Sequence, residues 1–111
     1  MDKELLRQVF ACIDNTTLKS TDNAASVEAF CQRTRDMQLA DGTHVASVCV
    51  FPRYVDVAKR VLEGSGIKVA TVAGGFPHGQ MSAAVKSAEV SDAVHSGADE
   101  VDVVISRGDA L

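Results

Sequence analysis

The chain has 111 residues, the size of a single domain and too short for two. Its eleven basic and fifteen acidic side chains give a net charge of -4, which argues against nucleic acid or an anionic membrane surface as a partner. Hydrophobic residues make up 46% of the chain and charged residues 23%, so the composition favours a folded globule over intrinsic disorder.

The cysteines and the first residues indicate a cytoplasmic protein. Cys12, Cys31 and Cys49 are odd in number and form no C-x-x-C pair, which argues against a disulfide scaffold or a cysteine-based zinc site. The histidines lie at no metal-ligand spacing, so no metal is expected. The first residues lack the apolar core of a signal peptide, and no apolar run approaches the length of a membrane span.

In chain order, the first half of the sequence predicts a helix, a strand and a second helix. Leu6, Val9, Phe10 and Ile13 follow helical spacing and form one apolar face. A short strand is predicted at 13–18, and the polar residues 20–23 supply a helix N-cap. The helix that follows has its own apolar face, which is formed by Val27, Phe30, Cys31 and Thr34.

The second half repeats the alternation of strand and helix. Strands are predicted at 45–51, 68–73 and 100–105, with a helix from Pro52 to Leu62 and another from Met81 to Gly97. No helix is predicted after the last strand. Such alternation is typical of βα units and a parallel sheet, which predicts an α/β fold of about four parallel strands with flanking helices and an N-terminal helix. Periodicity leaves open whether the strands follow sequential order, as in a barrel, or reverse, as in a doubly wound sheet.

The last predicted strand carries acidic side chains on one face. Because strand side chains alternate, Glu100 and Asp102 share one face with Val104, and the opposite face is apolar and is expected to pack on helices. Burying an unpaired carboxylate costs several kcal/mol, at about the order of magnitude of a lost ion pair. Asp102 is therefore either a functional carboxylate or a strand-end acceptor of backbone hydrogen bonds.

Two further features have both a functional and a structural interpretation. Cys49 shares a face of the second strand with Val45 and Ser47, and it would share a surface with Asp102 if the sheet curls, although buried cysteines are usually inert packing. The loop Gly74–Gly79 invites a phosphate-binding interpretation, but it does not match G-x-G-x-x-G or the P-loop. The alternative is a strand-to-helix turn that needs glycine for its positive φ angles.

Four segments together strongly resemble deoxyribose-phosphate aldolase. They are IDNTTL at 13–18, VCVFPR at 48–53, ATV with GFPHG between 70 and 79, and GADEVDVV at 97–104. The resemblance runs from about Ile13 to Leu111 and covers only the N-terminal half of that family's barrel. It implies one domain, 1–111, with the fold of a partial TIM (β/α)₈ barrel; a complete barrel needs about 250 residues.

The resemblance implies a cofactor-free class I aldolase. Such enzymes reversibly cleave 2-deoxy-D-ribose 5-phosphate into D-glyceraldehyde 3-phosphate and acetaldehyde through a lysine Schiff base. By resemblance, Asp102 matches the aspartate that relays protons with water, and Asp14 matches an acidic position near the lysine pair. Leu18 and Phe76 match apolar positions of the substrate pocket, and Cys49 matches a cysteine beside it.

Other parts of the family pattern have no counterpart here. The resemblance places the Schiff-base lysine on a sixth strand, its partner lysine on a seventh, and the phosphate loops after strands seven and eight. The chain alone is therefore expected to be inactive, and to bind the sugar phosphate only if the barrel is completed. Lys19, after the first strand, is the lysine expected nearest the catalytic end, where a solvated loop charge is its simpler role.

A half-barrel leaves a sheet face and two sheet edges uncovered. The inner face, including Val45, Ser47, Cys49, Thr71 and Val104, is expected to lie open, and unpaired edges invite association. We therefore expect a homo-oligomer or a complex with a complementary half-barrel, or else a rearranged sheet. Two alternative functions remain: a non-catalytic half-barrel assembly or small-molecule-binding module, and an unrelated doubly wound binding domain.

Overall fold

A computed structural model of the chain describes residues 2–111. In chain order the elements are α1 (Lys3–Phe10), β1 (Asp14–Thr16), α2 (Ala24–Asp36), β2 (Ser47–Val50), a 3₁₀ turn (Pro52–Tyr54), α3 (Val55–Val61), β3 (Lys68–Ala73), α4 (Ala83–His95), β4 (Glu100–Val103) and α5 (Arg107–Ala110). The strands form one parallel sheet in the order β1-β2-β3-β4. The predicted α/β fold with sequential strand order is confirmed, and the doubly wound alternative is wrong because the order does not reverse.

The strands are shorter than the apolar runs that predicted them. β1 is confined to Asp14–Thr16, and β2 to Ser47–Val50. Backbone pairing continues just beyond the strands, since the Thr17 amide donates to Cys49 and the Val104 amide donates to Ala73. The short helix α5 follows β4 where none was predicted, because residues 106–111 have no strand-like apolar pattern and close into a single helical turn.

The main hydrophobic core lies between the sheet and the helices α2 and α3. Val27, Cys31 and Thr34 of α2 are buried, as the helical spacing predicts. The buried members of this core are Val27, Cys31, Val45, Val48, Val50, Tyr54, Val55, Ala58, Leu62, Ile67 and Val69. Burial of such side chains contributes roughly 1.5–3 kcal/mol each and is the main source of the fold's stability.

Two residues expected on the open inner face lie on the helix side instead. Val45 precedes β2 and packs with the main core, so the alternation within β2 does not extend to it. Thr71 pairs in register with Val50 and Val101, and its hydroxyl donates to the Val50 carbonyl at 2.7 Å. Thr71 is fully buried, so that bond satisfies a polar group which would otherwise be costly to bury.

β4 is an exposed edge rather than a buried strand. The side chain of Val103 is 50% exposed and that of Ile105 is 62% exposed, although the apolar face was expected to pack on helices. The reason is that β4 has a hydrogen-bonded neighbour only on the β3 side within residues 2–111. The apolar face of α1 is likewise exposed, since no residue of that helix is buried.

The loop between β1 and α2 is fixed by one carboxylate. Asp22 accepts hydrogen bonds from the Thr17 hydroxyl at 2.8 Å and from the Lys19 amide at 3.2 Å, on either side of Leu18. Burial raises the pKa of Asp22, but these bonds together with one from Ser26 outweigh that effect and lower it. Asn23 and Ser26 then form a reciprocal capping box that starts α2, in agreement with the predicted N-cap segment.

No helix within residues 2–111 is both long enough and apolar enough to cross a membrane.

Candidate active site

The inner face of the sheet is defined by strand register. Residues that pair across neighbouring parallel strands point to the same side, so Asp14 shares a face with Ser47, and Asp102 shares it with Val72. Cys49 pairs with Ala70, which places it on this face as well. β1, β2 and β4 therefore direct their reactive side chains to the same side, opposite the main core.

Asp14, Cys49 and Asp102 converge at one point of the inner face. One side-chain oxygen of each aspartate and the Cys49 sulfur all lie within 4.8 Å of one another. The structure thus brings together the three polar residues among the five singled out by the sequence. The expectation that Cys49 and Asp102 share a surface agrees with this arrangement.

This convergence requires a curved and tilted sheet. Asp14 is in register with Lys68 through Ser47, whereas Asp102 is in register with Val72, four residues further along β3. In a flat, unstaggered sheet these aspartates would be separated by about 13 Å along the strands and about 14 Å across them. Strand tilt and curvature, the geometry that closes parallel sheets into barrels, bring them within 4.8 Å instead.

Small side chains on β3 leave room for the cluster. Ala70 is 1% exposed and lies between β2 and β4 at the level of Cys49 and Glu100. Ala70, Val72 and Cys49 form a second, small hydrophobic cluster, against which Leu18 and Phe51 pack. The centre of the inner face is therefore an apolar floor beneath exposed carboxylates.

The two aspartates differ in their hydrogen bonding. The Ser47 hydroxyl donates to Oδ1 of Asp14 at 2.7 Å. Among residues 2–111 no hydrogen-bond donor reaches the carboxylate of Asp102, so the interpretation of Asp102 as an acceptor of backbone hydrogen bonds is wrong. An exposed carboxylate with free oxygens is able to exchange protons with water.

The Cys49 thiol is protonated at neutral pH. Burial is the main cause that raises its pKa to about 12, and the negative charges of Asp14 and Asp102 raise it further. Metal ligation and nucleophilic attack both require a thiolate. The three donor atoms therefore have the composition of a cation site but lack the ionised sulfur that such a site needs.

An apolar rim borders the cluster. The rings of Phe51 and Phe76 meet edge to face, with centroids 6.3 Å apart. Phe51 also packs beside Leu18 on the small cluster that contains Cys49. Leu18 and Phe76, both singled out from the sequence, thus contact the same neighbourhood through Phe51, and Phe76 retains 38% exposure.

The glycine-rich loop is a tight turn packed against β4. Gly74 and Gly79 have φ angles of 83° and 73°, which side-chain-bearing residues rarely adopt. A Cβ atom on Gly79 would lie 2.7 Å from the Ile105 carbonyl oxygen, and one on Gly74 would lie 3.0 Å from that of Val104. The structural interpretation of this loop is sufficient, and Gly74–Gly79 positions Phe76 beside the end of β4.

Two polar residues near this end of the sheet were missed by the sequence interpretation. Ser47 was assigned only to an open face, because its pairing with Asp14 depends on register. Lys86 was assigned to a helix, which is correct, but its ammonium reaches Val104 at 3.2 Å and Ser106 at 3.0 Å, beyond the end of β4. A lysine one turn inside a helix that follows a strand was the available signal.

The most prominent cavity of the surface lies elsewhere. It has a volume of about 600 Å³ and is lined by residues at the end of α3 and the start of β3, including Lys59, Lys68 and Asp99. Lys59 and Asp99 already form an ion pair there, at 3.2 Å. The convergent cluster, not this cavity, holds the residues with an unexplained chemical arrangement.

Comparison with known proteins supports the resemblance noted from the motifs. No family model matches the chain. The deoxyribose-phosphate aldolase of Clostridium perfringens is 42% identical over 108 residues, which are 97% of this chain and 44% of that protein. The enzyme of Carboxydothermus hydrogenoformans is 46% identical over 96 residues, which are 86% of this chain and 39% of that protein.

A solved structure with a similar fold carries the same name. The tetrameric deoxyribose phosphate aldolase from Aeropyrum pernix superposes with a TM-score of 0.78 and 25% identity, over 92% of this chain and 41% of that one. The resemblance to these aldolases and the partial-barrel fold are therefore confirmed. The chain spans less than half the length of the relatives it matches.

Proposed function

We propose that this chain, which resembles the deoxyribose-phosphate aldolases over nearly its whole length, supplies the proton-transfer side of an aldolase active site. The observation that carries the proposal is the convergence of Asp14, Cys49 and Asp102 within 4.8 Å on the concave face of the sheet. The Schiff-base lysine, its partner lysine and the phosphate site would come from further segments that complete the barrel.

The proposed reaction is the reversible cleavage of 2-deoxy-D-ribose 5-phosphate. An iminium ion at C1 would accept electrons as the C2–C3 bond breaks and the 3-hydroxyl loses its proton, giving D-glyceraldehyde 3-phosphate and an enamine. Protonation of the enamine at C2 and hydrolysis would release acetaldehyde. Asp102 would move these protons through water, because its exposed carboxylate has no other hydrogen-bond donor within residues 2–111.

The other residues of the site would hold the substrate and the first carboxylate. Leu18 and Phe76 would border the pocket, since both pack against Phe51 at the rim. Asp14 would lie beside the amine of the Schiff-base lysine and balance its charge. The protonated Cys49 thiol would act as a small wall of the pocket rather than as a nucleophile.

A second candidate is a non-catalytic binding or assembly module. It is favoured by the absence, within residues 2–111, of a basic side chain among the groups that shift the pKa of Cys49. A Schiff base needs an amine at the cluster. The two candidates differ in one respect: only the first predicts turnover once the missing segments are supplied.

Fusion to the remaining segments of a relative tests the proposed function. The chain would be joined to the portion of the Clostridium perfringens aldolase that it does not match, and acetaldehyde release from 2-deoxy-D-ribose 5-phosphate would be followed. We expect turnover by the fusion and none by the 111-residue chain. Borohydride with acetaldehyde should trap a lysine of the added portion. Trapping at Lys19, or a folded fusion without turnover, contradicts the proposal.

The role of Asp102 has its own test in the same fusion. Asp102→Asn should lower kcat by about 10²–10⁴-fold, the usual contribution of general acid–base catalysis, and should leave the melting temperature unchanged because the side chain is exposed. Asp92→Asn, at an exposed position on α4, is the matched control and should retain full activity. An unchanged kcat in Asp102→Asn would remove the proton-relay role.

A further inference from the structure

We propose that Ser47 is a positioning residue that holds the Asp14 carboxylate in the cluster with Cys49 and Asp102. Its consequence for catalysis rests on the proposed function, whereas the contact itself does not. Ser47 would not touch the substrate. It would act through Asp14, by fixing one carboxylate oxygen from below.

The geometry of the pair is specific. Ser47 is the register partner of Asp14 on the neighbouring strand, and its hydroxyl donates to Oδ1 at 2.7 Å. Ser47 is only 4% exposed, so water competes poorly for this hydroxyl. A hydroxyl that donates to an ionised oxygen forms one of the stronger and shorter classes of hydrogen bond.

Asp14 needs such a restraint. Its carboxylate and that of Asp102 lie within 4.8 Å of each other, and like charges at that distance repel. Asp14 is exposed, so its side chain is otherwise free to turn toward water. Within residues 2–111 the Ser47 hydroxyl is the one side-chain or backbone donor that holds this carboxylate.

Ser47 and Cys49 stand on the same face of β2, separated by one residue. The position of the Asp14 carboxylate therefore determines how strongly its charge acts on the Cys49 thiol. Burial first, and then the charges of Asp14 and Asp102, raise the pKa of that thiol to about 12. Cys49 is thus a built-in reporter of where the Asp14 charge lies.

A double-mutant cycle on the 111-residue chain measures this coupling. In a Cys12→Ser background, the rate of iodoacetamide alkylation at Cys49 would be followed between pH 8 and 10 (about the range in which the thiolate fraction rises steeply) by peptide mass spectrometry. Ser47→Ala should accelerate alkylation several-fold at each pH, because a released Asp14 charge lowers the thiol pKa. Asp14→Asn should do the same, the double variant should add nothing, and Ser47→Thr should restore the parent rate.

Two results overturn the proposal. The first is an unchanged rate in Ser47→Ala. The second is an equal acceleration by Ser47→Ala with and without Asp14→Asn, since that would mean looser packing around the thiol rather than a moved charge. Thermal unfolding of each variant is measured alongside, and if Ser47→Ala does not fold, Ser47→Gly, which also lacks the hydroxyl, replaces it in the cycle.

Kinetics of the fusion separate this proposal from the proposed function. In an active fusion, Ser47→Ala should lower kcat more than it changes KM, and Ser47→Thr should recover kcat. If the thiol cycle is coupled but the fusion has no turnover, the proposed function fails and the positioning role stands. If the fusion turns over but the cycle is uncoupled, the positioning role fails alone.

Discussion

The three convergent residues experience different surroundings although they almost touch. Asp14 and Asp102 are exposed, whereas Cys49 is 2% exposed beneath them. Water screens the charge of the carboxylates, but burial gives the thiol no such relief. The same few ångströms of space therefore hold two groups suited to proton exchange and one that is chemically quiet.

Alkaline pH should destabilise the fold through its buried thiols. Burial raises the pKa of Cys31 to about 11 and, with the two aspartates, that of Cys49 to about 12. The unfolded chain releases these protons near pH 9, so the stabilisation is complete below that pH and declines as pH rises toward 11 and 12. Each thiol contributes a slope of about 1.4 kcal/mol per pH unit.

Urea unfolding between pH 8 and 11 measures this decline. Cys12, which is exposed, is the matched control: Cys12→Ala should keep the full slope, whereas Cys49→Ala should reduce it by the contribution of one thiol. A slope that is identical in the two variants would show that Cys49 does not titrate differently in the folded and unfolded states.

At this scale the sequence predicted faces better than contacts. Alternation along single strands correctly placed Cys49 and Asp102 on one surface. It could not reveal the bond between Ser47 and Asp14, because that bond depends on which residues of two different strands are level. The same limit explains Thr71, whose face follows from its pairing with Val50 and Val101 rather than from its own apolar neighbours.

Among the elements, β3 and β4 are joined by a side chain as well as by their ladder. Asp99, just before β4, accepts a hydrogen bond from the buried Val69 amide at 2.8 Å and pairs with Lys59 at 3.2 Å. The Val69 amide is the main cause that lowers the pKa of Asp99, and Lys59 adds to it. This contact fixes the start of the strand that carries Asp102.

Removing the Asp99 carboxylate should destabilise the fold by about 1–3 kcal/mol, since the buried Val69 amide loses its acceptor. Urea unfolding of Asp99→Ala at pH 7 measures the loss, and Asp99→Asn should recover part of it because an amide oxygen still accepts. Since the folded-state pKa is lowered, this stabilisation is present above the unfolded-state pKa and is lost as pH falls through the folded value. An Asp99→Ala variant as stable as the parent would contradict the assignment.

Element type was predictable here, and element ends were not. Helical spacing identified the buried face of α2, and the polar segment before it identified the cap, because both signals are local. The apolar runs at 45–51 and 100–105 overestimated their strands, since a run that continues into a core or an exposed edge looks the same in sequence. Exposure of Val103 and Ile105 reflects the missing neighbour of β4 within residues 2–111, which no local pattern encodes.

For the whole molecule, the unpaired edge of β4 and its exposed apolar side chains favour association. An edge strand offers free backbone donors and acceptors, and Val103 and Ile105 add apolar area beside them. The inner face adds carboxylates over an apolar floor. Such a surface is characteristic of one that packs on a further chain or segment.

We therefore expect the 111-residue chain to have a solution mass above 11.7 kDa by light scattering. Val103→Lys with Ile105→Lys should shift the mass toward the monomer, because charges on an edge strand oppose pairing. Both side chains are at least half exposed, so these changes should leave the fold intact, and Val85→Lys, on α4, serves as the matched exposed control. A monomer that melts cooperatively would refute this expectation.

The sequential order of the strands also bears on how the chain acquires its shape. Each strand pairs with the one that precedes it, so every βα unit finds its partner in chain that has already been made. Contacts between neighbours in sequence close short loops and favour rapid folding. The growing polypeptide can thus build this curved sheet from its amino end during translation, adding one unit at a time, and each added strand becomes the template for the next.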